Sequence, residues 1–213
     1  MGKHTFEAKI FQNLSGFFEE YDFALLPDLR QFRRDTSLGF DNIIISVSPY
    51  HDELWVDVHF GIRHEGIEHT AQQFLTNRLD FRADANTLLT TIGRFRQRSY
   101  FRYKIRTEED LNEACRDIAT FFTRKGLAFF DKTRNISDLD SILNELPHQR
   151  CPYISNQVHR CFKGLVTARL AENPDIDGLF EIYRQQLGQY HTDAPTLASF
   201  DRLGVYLKYY SSN

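Results

Sequence analysis

The stretch from Phe40 to Arg63, FDNIIISVSPYHDELWVDVHFGIR, constrains the fold more than any other part of the chain. Leu54, Val56, Val58, Phe60 and Ile62 are apolar, whereas Glu53, Trp55, Asp57, His59 and Arg63 occupy the odd positions. That period of two is what a half-buried strand requires. Upstream, Ile43, Ile45 and Val47 alternate with Ile44, Ser46 and Ser48, and Ser48-Pro49-Tyr50-His51-Asp52 separates the two runs with turn-forming residues. The pattern predicts an antiparallel hairpin with one core face and one polar stripe. Its register is well specified, because a slip of one residue would exchange the two faces.

The remaining segments arrange themselves around that hairpin. Phe6, Ile10, Phe11, Leu14, Phe17 and Phe18 fall at helical spacing and predict an amphipathic helix over 3–20. A first strand is expected around Leu29 to Asp35, turning at Ser37-Leu38-Gly39. Gly66 to Asn77 reads as a short helix, and Thr87–Ile92 and Ser99–Ile105 as two further β-rich runs. Thr107, followed by Glu108, Glu109 and Asp110, is a helix start: a hydroxyl to cap orphan N–H groups, then carboxylates at the positive end of the helix dipole. Gly126 marks a stop or kink. Helices are then expected over Ser137–Leu146, Ser155–Glu172, Asp175–Gly188 and Pro195–Tyr209. The fold class is α+β: an antiparallel sheet of about five strands flanked by helices, followed by an all-helical C-terminal part. The organisation expected is a sheet module over 1–106 and a helical part over 107–213 packed on or extending from it, with a single domain as the alternative.

Composition narrows the function classes. The 213 residues include 19 Phe, enough apolar surface for a real core. The net charge of -3 argues against a surface built throughout to hold nucleic acid, so any electrostatic function is local. Three cysteines, Cys115, Cys151 and Cys161, make no paired disulfide framework, the N-terminus lacks an apolar leader segment, and no run of 18 apolar residues occurs. A cytoplasmic protein with no membrane contact is the expectation. Met1-Gly2 opens like a myristoylation signal, but Phe6 stands where Ser or Thr is required.

Two constellations carry chemistry. Arg94 to Arg106, RFRQRSYFRYKIR, holds six basic residues, four aromatics and no acid. Cations neutralise phosphates and rings offer stacking platforms, so Arg94, Arg96, Arg98, Arg102 and Lys104 suit a polyanion or single-stranded nucleic acid. Pairing with the acidic run Glu108 to Asp117 ranks ahead of that reading. The other constellation is the stripe Trp55, Asp57, His59 and Arg63, to which Arg30, Arg33 or Arg34 could be added from the neighbouring strand. Asp57 and His59 lie about 7 Å apart on one strand, spaced to titrate near a ligand. Cross-strand ion pairing ranks ahead here too.

Metal sites fail on geometry. His64 and His69 are five residues apart with Gly66 between them, so one helical face cannot present both as a zincin does. His148, Cys151, His159 and Cys161 have zinc chemistry, but on a helix built on Val158, Cys161, Phe162 and Leu165, His159 and Cys161 point apart. No nucleotide loop, nucleophile elbow or kinase motif occurs, and no cofactor is expected.

The order of a Phe-rich strand with Arg33-Arg34, the strand Ile43-Ile44-Ile45-Ser46-Val47, the strand Val56–Ile62, and then TEEDLNEACRDIATFFTRKGLAFF resembles bacterial α+β families of unknown function. In those, a strand ending in hydrophobic, hydrophobic, Gly, hydrophobic follows an Ile/Val-rich strand, and a helix leads to an apolar stretch, here Leu127–Phe130. The resemblance covers about residues 5 to 145. It implies a fold and no activity. The expected function is therefore a non-enzymatic binding or adaptor protein acting on a protein partner or as a homo-oligomer. Nucleic-acid or polyanion binding through Arg94 to Arg106 is the alternative, and a hydrolase or transferase at Asp57 and His59 is the third reading.

Overall fold

The structure, a computed structural model, describes residues 3–98 and 100–210. Met1-Gly2 and Ser99, where the second β-rich run was expected to begin, lie outside the described residues. The fold is α+β: an antiparallel sheet followed by helices. The strands are β1 (Ala24–Leu26), β2 (Gln31–Thr36), β3 (Gly39–Tyr50), β4 (Glu53–His64), β5 (Leu88–Thr91) and β6 (Tyr103–Ile105). The helices are α1 (Lys3–Glu19), α2 (Glu65–Phe74), α3 (Leu79–Arg82), α4 (Ile92–Phe95) and α5 (Glu108–Phe121). They continue as α6 (Leu127–Lys132), α7 (Ile136–Asn144), α8 (Gln157–Leu170), α9 (Ile176–Gln189) and α10 (Ala194–Tyr209).

The hairpin is longer and tighter than its sequence suggests. Pro49 and Tyr50 continue β3, and only His51-Asp52 connects it to β4, with His51 in the left-handed region at φ 50°. The expected five-residue turn shrinks because Tyr50 gains a partner across the hairpin. Its ring stacks on Trp55 at 4.1 Å between centroids. The alternation of β4 holds in its middle, where Leu54, Val56, Val58 and Phe60 are buried and Trp55, Asp57 and His59 half-buried, but at its ends Glu53 and Arg63, expected on the polar stripe, are buried.

Ahead of the hairpin, the strand expected around Leu29 to Asp35 forms as β2, and a further strand, β1, precedes it. Pro27–Leu29 forms a 3-10 turn ended by Arg30 in the left-handed region (φ 51°), so β1 folds back on β2 with Leu25 opposite Phe32. β2 then pairs with β3, Phe32 opposite Ile43 and Thr36 opposite Gly39. The sheet order is β1-β2-β3-β4-β5, with β6 also on β4, Trp55 opposite Lys104. This order corrects one expectation. β3 separates β2 from β4, so Arg30, Arg33 and Arg34 do not join the stripe of β4. Arg30 pairs with Glu7, Arg33 lies over the Phe40 ring, and Arg34 pairs with Asp41 at 2.8 Å.

The described chain divides into two compact units, each made of two segments: the chain up to Ile62 with Leu89–Asp131, and Arg63–Leu88 with the chain from Lys132 onward. In the first, the phenylalanines form one cluster. Phe60 meets Phe95, Phe121, Phe122, Phe129 and Phe130 at centroid distances of 5.3 to 6.0 Å. These are the edge and tilted contacts that aromatic quadrupoles favour. α5 opens on a capping box, Thr107 accepting from the Asp110 N–H and Asp110 accepting from the Thr107 N–H.

At Gly126 the helix does not stop. It widens into one π-helical turn over Phe122–Gly126 and continues as α6, which aims Phe129 and Phe130 into the aromatic cluster. A Cβ on Gly126 would fall on the buried Phe122 ring. Gly126→Ala is expected to cost about 1–3 kcal/mol by overpacking, read as a lowered urea midpoint. A midpoint equal to that of the parent chain would contradict this account.

The second unit is built on α8. Its residues from Arg160 to Ala168 are all buried, with α2, α7, α9 and α10 packed on it. Arg160 donates to the carbonyls of Leu143, Leu146, Pro147 and Gln149, and Lys163 pairs with Glu68 at 2.8 Å.

Candidate functional site

In the first unit, a cleft of about 560 Å³ brings the two constellations together. Asp57 and His59 come from β4, Thr91 from the end of β5, Arg94 from α4, and Arg98, Phe101 and Arg102 from the segment leading to β6. Of the β-rich run expected over Ser99–Ile105, Tyr103–Ile105 forms a strand. Local chemistry explains the difference. Thr91 caps α4, its hydroxyl accepting from the Arg94 N–H at 3.0 Å. Gln97 then takes a left-handed conformation (φ 59°), and the Arg98 N–H returns to the Gly93 carbonyl at 2.8 Å. The doubling back needs the missing side chain of Gly93, where a Cβ would lie 2.5 Å from that of Phe101.

The run's cations divide between the cleft and internal partners. Arg96 turns away from it and pairs with Asp117 at 2.8 Å, which also accepts from the Tyr103 hydroxyl at 2.7 Å. Burial pushes the Asp117 carboxyl up, but the donors Arg96 and Tyr103 outweigh it and hold the group below its ordinary range. Arg106 pairs with Glu53 at 2.8 Å, while Lys104 reaches it only at 4.0 Å. The Trp55 indole N–H, donating to Glu53, is the largest of the influences that lower that carboxyl. Arg102 meets Asp57 at 3.0 Å and lies 5.1 Å over the Trp55 ring, with Lys104 at 5.7 Å. Arg98 is exposed, 5.9 Å from the Phe101 ring, and no ion pair to a described carboxylate holds it.

Burial lowers the pKa of His59; Asp57 works against this and Arg94 adds to it. The imidazole is thus neutral near pH 7, a donor and acceptor among the residues that line the cleft. Arg94, Arg98 and Arg102 line the cleft together with one carboxylate, Asp57, which Arg102 engages.

Arg63 has no place in this cleft. It belongs to the second unit, where it pairs with Glu65 at 2.6 Å and donates to the carbonyls of Arg82 and Ala85, holding the 79–85 segment. His64 caps α2, its ring accepting from the Ile67 N–H. Cys161 is fully buried, its thiol pushed up to about 12 by burial, whereas His159 lines a separate cavity of about 340 Å³. Among the described residues no cluster of three or more metal-ligating side chains occurs. Another cavity, about 750 Å³, lies among α8, α9 and α10 and is lined by none of the candidate site residues named from the sequence. Its charges balance: Arg169, Arg184 and Lys208 against Asp177, Glu181 and Asp201.

Thr91 and Gln97 are the lining residues that sequence reasoning passed over. Thr91 carried a signal, since a Thr late in a β-rich run is a residue type that caps a helix beginning just after it. Gln97 carried none. Among the described residues no helix is long and apolar enough to cross a membrane. No family model, curated protein or solved structure matches the chain.

Proposed function

We propose that the protein is a binding protein for a phosphate-bearing anion, held in the cleft of Arg94, Arg98 and Arg102 without being turned over. The observation that carries this reading is the convergence itself: Asp57 and His59 lie more than thirty residues from the arginines in sequence and share one concavity with them. Guanidinium groups present paired donors matched to phosphate oxygens. Asp57, engaged by Arg102, is a counter-ion and not a free base, which favours binding over the hydrolase reading.

Pyrophosphate titrated into the protein tests it by calorimetry. Saturable binding is expected, and Arg98→Ala is expected to weaken it about tenfold, the size of one charge-assisted hydrogen bond. Absence of saturable binding to the parent chain at low salt would end the reading. The pH dependence has a definite sign. In the empty cleft burial holds His59 neutral, whereas an adjacent dianion stabilises the imidazolium, so binding takes up a proton. Sulfate, whose charge is constant over this range, is therefore expected to bind more tightly at pH 6 than at pH 7.5, and equally at both in His59→Gln.

A further inference from the structure

The surroundings of the cleft identify the carrier of the phosphate, provided that the anion reading holds. We infer that the ligand is a single-stranded nucleic acid, one of whose bases stacks on Trp55 while its phosphate replaces Asp57 on Arg102. Trp55 is sandwiched: Tyr50 covers one side at 4.1 Å and 27°, and Arg102 and Lys104 lie over the ring at 5.1 and 5.7 Å. Tyr50 is the last residue of β3. The two cations are long, with 48% and 63% of their side chains exposed, and move aside at little cost. A nucleobase entering above Trp55 extends a stack already begun and leaves the cations at its edge, where the phosphates run.

A second platform stands at the cleft. Tyr100 is fully exposed beside Phe101, and both line the concavity with Arg98. Ring, cation, ring and cation thus follow one another from Tyr100 through Arg102 and Trp55 to Lys104. Arg102 and Lys104 are two residues apart, about 7 Å along an extended chain. Such a surface of stacking platforms and backbone-tracking charge accepts bases of any identity. Duplex bases are stacked inside and offer no free face to Trp55 or Tyr100, so a duplex engages the arginines alone. Asp57 is the internal substitute: its carboxylate occupies on Arg102 the position of a phosphate and leaves when a strand arrives.

The test uses the full 213-residue chain, labelled dT12, an inorganic polyphosphate of similar charge and a dT12·dA12 duplex, followed by anisotropy and competition. Trp55 is the sole tryptophan, so its fluorescence reports the stack directly. Expected are quenching of Trp55 by dT12, binding of dT12 about tenfold tighter than polyphosphate, weaker binding of the duplex, and a slope of log K against log salt near -2 for about three phosphates. Asp57→Asn is expected to tighten dT12 binding severalfold. Trp55→Leu is expected to bring dT12 to the level of polyphosphate, and Trp55→Phe to restore most of the difference, with thermal melting confirming that each variant is folded. If polyphosphate binds as tightly as dT12, or the duplex binds equally, the nucleic-acid inference falls and the anion reading stands. If Asp57→Asn weakens dT12 binding, the exchange on Arg102 is wrong. If neither dT12 nor polyphosphate binds, both readings fall together.

Discussion

Replacing Lys163 with Met is expected to destabilise the protein by about 3–5 kcal/mol, lowering Tm by about 10 °C. The Lys163 ammonium lies 2.8 Å from Glu68 and 2.6 Å from the Asn86 carbonyl, and the two side chains are 5% and 0% exposed. Glu68 also accepts from Gln72 and from the Thr87 hydroxyl, at 2.9 Å each. Removing the cation leaves a buried carboxylate with two neutral donors, and water cannot reach it to compensate. Removing both charges is a different matter: Lys163→Met with Glu68→Leu fills the same space without an orphaned ion and is expected to recover most of the loss. Thermal melting and urea titration of the two variants decide it. A single variant within about 1 kcal/mol of the parent chain would mean that the pair is solvated, contrary to the burial described.

Arg160→Met is the second large effect, expected at about 4 kcal/mol or more. The Arg160 side chain is 2% exposed and donates to four carbonyls at the C-terminal end of α7 and the turn after it: Leu143, Leu146, Pro147 and Gln149. The last carbonyls of a helix have no partner within it, and here the guanidinium supplies one. Each buried acceptor left without a donor costs about 1–3 kcal/mol. Arg160→Lys is expected to rescue little, since a single ammonium cannot span the fork that reaches Leu143 on one side and Gln149 on the other. Urea unfolding measures both variants. Full stability of Arg160→Lys would show that charge alone is needed at this position.

These two residues also show why part of the structure was hidden in the sequence. On α8, Arg160 and Lys163 interrupt the apolar positions Cys161, Phe162 and Leu165, and nothing in their local spacing marks them as buried. In the fold the helix is buried on nearly every side, so helical periodicity no longer separates inside from outside, and the basic residues find their partners in Glu68 and the end of α7, far away in sequence. The hairpin, the Thr107 cap and the last four helices were legible because each depends on residues a few positions apart. The path from Arg94 to Tyr103 was not, because alternation of Phe101, Tyr103 and Ile105 describes an extended chain equally well whether or not Gly93 lets Phe101 pack against it. The cleft inherits this limit. Its acid and histidine were marked from the strand and its arginines from their composition, but their convergence depends on that non-local turn.

The division of each unit into two segments has a consequence for how the chain acquires its structure on the ribosome. The hairpin emerges early, yet the strand that pairs with Trp55 arrives only with Lys104, and the phenylalanines that cover Phe60 extend to Phe130. Arg63–Leu88, made in between, belongs to the other unit and waits for α8. Neither unit can close before well over half of the 213 residues have been made. Order of synthesis and order of assembly are therefore uncoupled, and one edge of β4, a twelve-residue strand with an apolar face, stays unpaired until β5 and β6 have been made, the kind of surface that nascent chains shield until their partners appear.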